Sequence, residues 1–289
     1  MINGLWNFIP GALKKTNSMQ ISIVIPTYNR PGLAMNLAKE IRRYEPKAEI
    51  IVVDQSTVKE DPKKIETLFV KYIDDNKVNT STAKNVGLAK ATGDIVFFFD
   101  DDIEITPQTI NAHLNEYEDP EVMGIAGRVI NDGEEVPRTT DVETGKTNRF
   151  LTAFISNFWG TKRQLVQFPY GCNMSFRRSI LKKLGGFDEK ITPPGFEEYD
   201  LGLSVTMKGK MIFSPEALVY HHRATTGGNR LKKTDWFKKY YWNYGRMIAK
   251  HVSLPGSIYS LVRIAGRILK EYPPAIGSFF TGYFQSISA

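Results

Sequence analysis

Three consecutive aspartates, Asp100, Asp101 and Asp102, directly follow an apolar run that ends in three phenylalanines. Neighbouring carboxylates repel one another strongly at low dielectric, so a positive partner is needed among them. A divalent cation is the natural counter-charge, because Mg²⁺ and Mn²⁺ bind one or two carboxylates and complete their shell with phosphate oxygens and water. On an extended segment Asp100 and Asp102 share one face and Asp101 points away. The structural alternative is an acidic turn that ends a strand.

A second acidic cluster, Glu197, Glu198 and Asp200, lies far downstream. One of these carboxylates is suited to act as a general base, which must lie within hydrogen-bond reach of the hydroxyl proton that it removes. If a helix begins at Glu197, the acids instead stabilise its N-terminal dipole. His221 and His222 follow a short β-like run, Ala217–Tyr220. Either imidazole can bind the same cation as the aspartates, and a purely structural histidine is the alternative.

Glycine-rich phosphate-binding motifs are missing from the sequence. Neither a GxGxxG after the first predicted strand nor a GxxxxGK[ST] occurs. A dinucleotide site of the Rossmann type and a Walker phosphate loop are therefore not supported. We expect a phosphorylated ligand to be held mainly through the cation, as a diphosphate that leaves with it.

The elements that position these residues are predicted from the pattern of residues 20–99, which alternates between β-branched runs and helical periods. Such alternation is typical of βαβ units on a parallel sheet. Because ligands bind outside the carboxyl ends of parallel strands, the polar clusters at those ends should line one crevice. The predicted strands are Ile21–Pro26, Ile50–Asp54 and Asp94–Asp102, and the predicted helices are 31–43 and Ser81–Lys90. The polar clusters are 27–30, 54–56 and 100–102.

The second half of the chain is less regular. Residues 131–165 have no firm period and are predicted to form a long loop, which in a compact domain is usually functional or mobile. The predicted elements are a helix at Pro107–Glu116, an apolar segment at Val122–Ile130, order at Tyr170–Phe176, a helix at Arg178–Leu184 ending at Gly185-Gly186, a helix from Glu197, a short strand at Lys210–Phe213 and a helix from Asp235.

The positive charge is concentrated near the C-terminus. The 289 residues carry a net charge of +7, and the segment from Arg223 to Lys250 holds eight basic residues and one acid. A local positive field points to an anionic partner such as membrane lipid, a phosphate-bearing substrate or nucleic acid, whereas a solvated helix face is the simpler interpretation. In the same segment Trp236, Tyr240 and Tyr244 form a stripe at helical spacing. The stripe either packs in a core or docks on anionic lipid.

The remaining composition is that of a globular protein, with 42% hydrophobic and 24% charged residues. The single cysteine, Cys172, excludes an intrachain disulfide and fits a reducing compartment. No apolar run is long enough to span a bilayer, and the N-terminus has its basic residues after its apolar ones, the reverse of a secretory signal. We therefore expect a cytoplasmic protein, either free or bound peripherally to the inner face of the cell membrane. A second membrane contact is expected from Leu5, Trp6, Phe8 and Ile9, together with Lys14 and Lys15.

Five stretches follow one another along the chain: SIVIPTYNRPGLA (22–34), IIVVDQST (50–57), STAKNVGLAKATGDIVFFFDDDIEI (81–105), GCNMSFRRSILKKLGGFDE (171–189) and GFEEYDLGLSV (195–205). In this order they resemble the family-2 glycosyltransferases of the inverting GT-A type, a group that includes bacterial cell-surface polysaccharide enzymes. The resemblance implies an α/β GT-A fold, with a mostly parallel central sheet flanked by helices and a C-terminal helical extension. It divides the chain into an N-terminal extension (1–18), a catalytic domain (19–222) with a donor half (19–130) and an acceptor half (166–222), and a basic aromatic helical region (223–289).

The resemblance also implies roles for individual residues. Glu198 occupies the position of the catalytic base, as Glu instead of Asp, and Glu197 is the alternative. The implied metal ligands are Asp102 and Asp100, with His221 or His222. The implied donor-binding residues are Pro26, Thr27, Tyr28, Arg30, Asp54, Lys84, Asn85, Asp100 and Asp101. The implied acceptor-side residues are Asn173, Gly186, Phe187, Asp188 and Asp200.

The function implied is transfer of a sugar from a UDP-, GDP- or dTDP-linked donor to a saccharide or lipid-linked acceptor, with Mn²⁺ or Mg²⁺ as cofactor. The cation stabilises the leaving diphosphate while the base activates the acceptor hydroxyl for one in-line displacement. A nucleotidyltransferase is an alternative, but it would need a glycine-rich basic loop after the first strand. A non-catalytic module that binds membrane or nucleic acid would explain the basic residues of 223–250. It would not explain the two acidic clusters, because these repel phosphate groups unless a metal is present. We expect no nucleic-acid partner.

Overall fold

The computed structural model describes residues 19–30, 32–228 and 230–287. The predicted N-terminal extension and its apolar residues therefore lie outside the described part of the chain. None of the helices in that part is both long and apolar enough to cross a membrane.

The first half of the chain forms parallel strands, as predicted. Strands β1–β4 lie in the order β3-β2-β1-β4. Continuous apolar runs in β1, β2 and β4 are covered by helices on both faces, which is typical of parallel sheets. The elements are β1 (Ile21–Thr27), α1 (Leu33–Tyr44), β2 (Glu49–Asp54), α2 (Pro62–Thr67), β3 (Lys71–Asp74), α3 (Thr80–Lys90) and β4 (Ile95–Phe99).

The second half extends the same sheet with mixed pairing. The order continues from β4 through β10, β6 and β11 to β5, and β9 pairs with β11. Strand β10 is antiparallel to both of its neighbours, whereas β6 and β11 are parallel. The elements are β5 (Ile103–Ile105), α4 (Thr109–Glu116), β6 (Val122–Asn131), β7 (Lys146–Thr147), β8 (Phe154–Ile155), β9 (Gln164–Leu165), β10 (Asn173–Arg177), α5 (Arg178–Leu184), α6 (Glu197–Thr206) and β11 (Lys210–His221).

Strand β11 corrects one expectation. The two predicted β segments, Lys210–Phe213 and Ala217–Tyr220, belong to one long strand whose register shifts between Ser214 and Leu218. The extra residues of a bulge interrupt the alternation of side chains, so the sequence pattern appears as two strands. The predicted loop 131–165 contains the small β7–β8 sheet and β9.

The C-terminal region is helical and has its own core. It consists of α7 (Lys233–His251), α8 (Gly256–Glu271), a short 3-10 helix (Pro273–Ala275) and α9 (Ile276–Ile287). Helices α7 and α9 touch through their backbones: a Cβ at Gly282 would lie 2.0 Å from the carbonyl oxygen of Trp242. This core includes Tyr244 and Phe279 and joins Phe196 at the start of α6. The C-terminal helices therefore pack directly behind one wall of the crevice.

Candidate active site

A cavity of about 330 Å³ lies where the carboxyl ends of β1 and β4 meet the N-terminus of α6. Both acidic clusters contribute to its lining, although they are far apart in sequence. The predicted site residues that line it are Pro26, Thr27, Tyr28, Arg30, Lys84, Asp100, Asp101, Glu197, Glu198 and His221.

The aspartates do not lie on an extended segment, so the predicted extended conformation is wrong. The chain turns at Asp101 and Asp102, immediately after β4. Nη1 of Arg30 lies 2.7 Å from Oδ1 of Asp101 and 3.0 Å from Oδ2 of Asp102. The hydroxyl of Thr27 donates a 2.6 Å hydrogen bond to Asp101. The protein thus supplies part of the counter-charge itself, through Arg30.

The three aspartates differ in proton affinity. Burial raises the pKa of Asp101 to about 6, against the opposing effect of Arg30. Burial also raises the pKa of Asp100, although Lys84 opposes this effect. For Asp102 burial acts in the same direction, but the nearby His221 and Arg30 outweigh it and lower the pKa to about 2. Asp102 is therefore the most readily ionised of the three.

A set of donor atoms suited to a divalent cation lies beside these aspartates. Ligand atoms of Asp100, Cys172 and His221 all lie within 4.8 Å of one another. Nε2 of His221 is 3.3 Å from Oδ1 of Asp102, yet this buried oxygen has no well-aligned hydrogen-bond partner among the described residues. Oxygen and imidazole donors suit Mn²⁺, whereas a thiolate favours softer metals. Burial and the neighbouring carboxylates raise the pKa of the Cys172 thiol.

His222 does not join this donor set, which corrects its assignment as a possible metal ligand. Its Nδ1 lies 2.9 Å from Asp132 and its Nε2 lies 3.5 Å from Glu104. Successive side chains of an extended chain point to opposite sides, so His221 and His222 cannot both face the cavity.

The two glutamates at the start of α6 have different environments. Nζ of the fully buried Lys84 lies 3.1 Å from Oε1 of Glu197. Although burial opposes ionisation, Lys84 holds the pKa of Glu197 below its usual range. Burial and the adjacent Glu197 raise the pKa of Glu198 well above its usual range. Oε2 of Glu198 is buried without a hydrogen-bond partner in the described part of the chain. Glu197 is thus an ion-pair partner, and Glu198 has an oxygen available to a ligand.

Two predicted donor-binding residues do not line the cavity. Asp54 instead accepts hydrogen bonds from the backbone N–H of Ser56, at 2.7 Å, and from the hydroxyl of Tyr72. Its neighbour Gln55 lines the cavity in its place. Asn85 joins α3 to the loop after α5, because its side chain donates to the carbonyl of Phe187 and accepts from the N–H of the same residue.

The predicted acceptor-side residues support the cavity from behind. A Cβ at Gly186, where φ is +77°, would lie 2.4 Å from Oδ1 of Asn85, so this turn requires glycine. The ring of Phe187 lies beneath Lys84, whose Nζ is 5.3 Å from the ring centre. The buried Asn173 donates to the carbonyls of Arg128 and Ala217.

Asp188 and Asp200 fix the C-terminal helices to the catalytic part. Asp188 pairs with Arg246 at 2.6 Å and with Lys250 at 3.0 Å. Asp200 pairs with Lys250 at 2.6 Å and with His251 at 2.7 Å. Part of the basic segment is therefore neutralised internally, and these acids do not line the cavity.

The sequence did not single out several of the lining residues: Thr80, Tyr170, Pro193, Gly195 and Gly228. Gly171 and Cys172 begin one of the five recognised stretches, but only their backbone proximity to α3 and α6 places them here. A Cβ at Gly171 would lie 3.6 Å from Oε1 of Glu198 and 3.7 Å from Nζ of Lys84.

Comparison with known proteins agrees with this geometry. Residues 22–185 match the model of a family described as glycosyl transferase family 2. An O-antigen biosynthesis protein of Myxococcus xanthus is 22% identical over 246 residues, which cover 76% of this chain and 19% of that protein. A glucosyl-dolichyl phosphate glucuronosyltransferase of Haloferax volcanii is 27% identical over 180 residues, which cover 59% of this chain and 56% of that protein. The chain thus spans less than two thirds of the length of these relatives.

A solved structure shares the architecture. A mannosyltransferase of Pyrobaculum calidifontis, in complex with GDP-Man and Mn²⁺, matches with a TM-score of 0.59 and 18% identity. The match covers 95% of this chain and 76% of that chain. At this identity the likeness establishes the GT-A fold alone, and it confirms the predicted fold class.

Proposed function

The chain belongs to glycosyl transferase family 2, and we propose that it transfers a sugar from a nucleoside diphosphate sugar to an acceptor hydroxyl with inversion at the anomeric carbon. One observation supports the proposal most directly. Glu198, with its unpartnered buried oxygen, lines the same cavity as Asp100 and Asp101. A proton acceptor and a cluster that can hold a cation and diphosphate are thereby placed around one substrate-sized space.

The donor binds at the carboxyl ends of β1 and β4 in this proposal. Thr27, Tyr28 and Gln55 line the nucleotide end of the cavity, and Arg30 supplies positive charge to the diphosphate. Asp100, Cys172 and His221, with Oδ1 of Asp102, would hold a divalent cation. When bound, the cation acts as a Lewis acid that stabilises the charge of the departing diphosphate.

The acceptor hydroxyl is deprotonated by Glu198. The raised pKa of Glu198 makes its carboxylate a stronger proton acceptor than an ordinary carboxylate. Glu197 remains ionised beside Lys84 and keeps that buried cation paired. Attack of the acceptor oxygen from the face opposite to the leaving diphosphate inverts the configuration, and no covalent sugar–enzyme species is needed.

Two alternatives fit the geometry less well. A nucleotidyltransferase has no use for a buried carboxylate with a raised pKa opposite the aspartates. A basic binding module would place its charge outward, but Arg246 and Lys250 are paired with Asp188 and Asp200. The names of the relatives support polysaccharide or glycolipid assembly as the process.

The test is a panel of nucleotide sugars with Mn²⁺ present, in which release of the nucleoside diphosphate is measured. The anomeric configuration of the transferred sugar is then read by NMR. We expect one donor to be cleaved in preference and the product to have the opposite configuration at the anomeric carbon. Retention of configuration, or no release from any donor, would contradict the proposal.

We further propose that the chain works at an anionic membrane surface, through the outward face of α8. Ile258, Val262 and Leu269 share one side of this helix and are 57%, 68% and 58% exposed. The exposed cations Arg263 and Lys270 lie alongside this apolar stripe. An apolar stripe bordered by cations suits the interface of an anionic bilayer. This location replaces the expected contact through the Trp236–Tyr244 stripe, because Tyr244 is buried in the C-terminal core.

A further inference from the structure

A second cavity adjoins the proposed catalytic base. Its volume is about 430 Å³, and Glu198 and Gly195 line both this cavity and the first. We call it the aromatic pocket, because five of its nine lining residues are aromatic: Phe154, Phe196, Tyr199, Trp236 and Tyr240. A molecule in the aromatic pocket can therefore contact Glu198 without entering the cavity that Asp100 and Asp101 line.

The outer wall of the aromatic pocket is a stacked pair of rings from α7. The rings of Trp236 and Tyr240 lie 4.9 Å apart and only 10° from parallel. Tyr240 also contacts Phe196, with a centroid distance of 4.9 Å, so the pair is fixed to the start of α6. Trp236 remains 37% exposed. A flat, rigid indole that is partly open to solvent is suited to stack against the C–H face of a sugar ring.

Polar atoms are also present where a sugar would need them. The hydroxyls of Ser156 and Tyr199 lie 3.2 Å apart in the wall of the aromatic pocket. The occupant must also present a hydroxyl to Glu198. A sugar ring combines an apolar face with hydroxyls at its edge, whereas a lipid tail offers no hydroxyl.

Three exposed lysines surround the indole. Residues three and four positions apart are neighbours on a helix surface. Lys232, Lys233 and Lys239 stand four before, three before and three after Trp236, and all three are exposed. Lys238, two positions after Trp236, lies on another side of α7. Three exposed cations therefore lie within about one helical turn of the indole, against one exposed acid, Asp235.

We propose that the aromatic pocket is the acceptor subsite and that the acceptor is an anionic saccharide. Its terminal ring stacks on Trp236, and its carboxylate or phosphate groups pair with Lys232, Lys233 and Lys239. The proposal rests on the proposed function, because Glu198 is taken as the base for the acceptor hydroxyl. It also relocates the acceptor side from Asp188 and Asp200, which face the C-terminal helices.

The test is a titration of the protein with saccharide probes in the absence of nucleotide. Binding is monitored through the NMR signals of the probe. The probes are a uronic-acid tetrasaccharide, a phosphorylated disaccharide and a neutral tetrasaccharide. We expect an anionic probe to bind at least about tenfold more tightly than the neutral one. The more tightly bound anionic probe identifies carboxylate or phosphate as the source of the charge.

Variants separate stacking from charge. Trp236→Ala should weaken binding of every probe about tenfold, whereas the matched truncation Trp242→Ala on the same helix should leave it unchanged. The double variant Lys233→Glu/Lys239→Glu should weaken only the anionic probes, and Lys238→Glu is its control. Urea unfolding verifies that each variant is folded.

The proposal would be overturned if no probe bound to the wild-type protein or if Trp236→Ala bound the probes as wild type does. Equal affinity for anionic and neutral probes would overturn the assignment of charge to the acceptor. Binding of a nucleoside diphosphate with Mn²⁺ is measured separately on the same preparations. A failure of the aromatic pocket with intact nucleotide binding would therefore leave the donor site, and with it the proposed function, standing.

Discussion

Replacing Glu197 or Glu198 by glutamine should have different effects on the free energy of unfolding and on kcat, although the two residues are adjacent. Glu197→Gln removes the nearest counter-charge of Lys84, whose side chain is only 1% exposed. Breaking a buried ion pair from one side costs about 3–5 kcal/mol of unfolding free energy. Because Asp100 and Glu198 also act on Lys84, we expect a loss near the lower limit, about 3 kcal/mol.

Glu198→Gln should leave the free energy of unfolding unchanged or raise it. One oxygen of its carboxylate, Oε2, is buried without a hydrogen-bond partner among the described residues. Burial and the adjacent Glu197 raise its pKa, so folding disfavours the charged form. The same substitution removes the proton acceptor, so we expect kcat to fall by about 10²–10⁴ while the donor still binds. The stability defect and the catalytic defect are thus assigned to different residues.

The assay pairs urea unfolding with donor turnover for both variants. Glu66→Gln, on an exposed position of α2, is the control and should change stability by less than about 0.5 kcal/mol. A wild-type kcat for Glu198→Gln, under conditions where chemistry limits the rate, would show that Glu198 is not the base. Wild-type stability of Glu197→Gln would show that its ion pair with Lys84 does not stabilise the fold.

Three further outcomes are expected. Cys172→Ala should weaken the binding of Zn²⁺ more than the binding of Mn²⁺, because a thiolate favours the softer metal. Equal losses of affinity for the two ions in a calorimetric titration would remove Cys172 from the donor set. Burial lowers the pKa of His113 to about 4. Below about pH 6.5 this histidine therefore binds a proton in the unfolded state but not in the folded state. The unfolding free energy should therefore fall by about 3 kcal/mol as the pH drops from about 6.5 to 4, and urea melts of His113→Gln should show a flatter profile over that range. Val262→Asp should abolish cosedimentation with vesicles rich in phosphatidylglycerol at low salt, whereas Val58→Asp, at another exposed valine, should not. Failure of the wild-type protein to bind such vesicles would contradict the membrane proposal.

The sequence predicts the sheet best where burial is complete. Strands β1, β2 and β4 are continuous apolar runs, and the end of helix α5 is marked by Gly185, whose φ of +81° suits glycine. The strand Lys71–Asp74 was not predicted, because it lies at the sheet edge and is partly exposed along its length. An edge strand needs no apolar face toward a second neighbour, so its sequence carries little signal.

The sequence predicts which charged residues form the candidate site, but it does not predict their ion-pair partners. The order of motifs indicates that Asp100 and Glu198 converge, and both line the cavity. Sequence spacing could not show that Arg30 pairs with Asp101 or that Lys84 pairs with Glu197, since these pairs join separate elements. The pairing of Asp188 with Arg246 is equally remote in sequence and depends on how α7 packs.

The acidic cluster after β4 is proposed to hold a cation together with a nucleoside diphosphate. Calorimetric titration of UDP, GDP and dTDP with and without Mn²⁺ tests this proposal, using wild type and Asp102→Ala. We predict that one nucleotide binds at least about tenfold more tightly with Mn²⁺ and that Asp102→Ala removes this gain. Binding that ignores Mn²⁺, or a gain that persists in Asp102→Ala, would contradict the account.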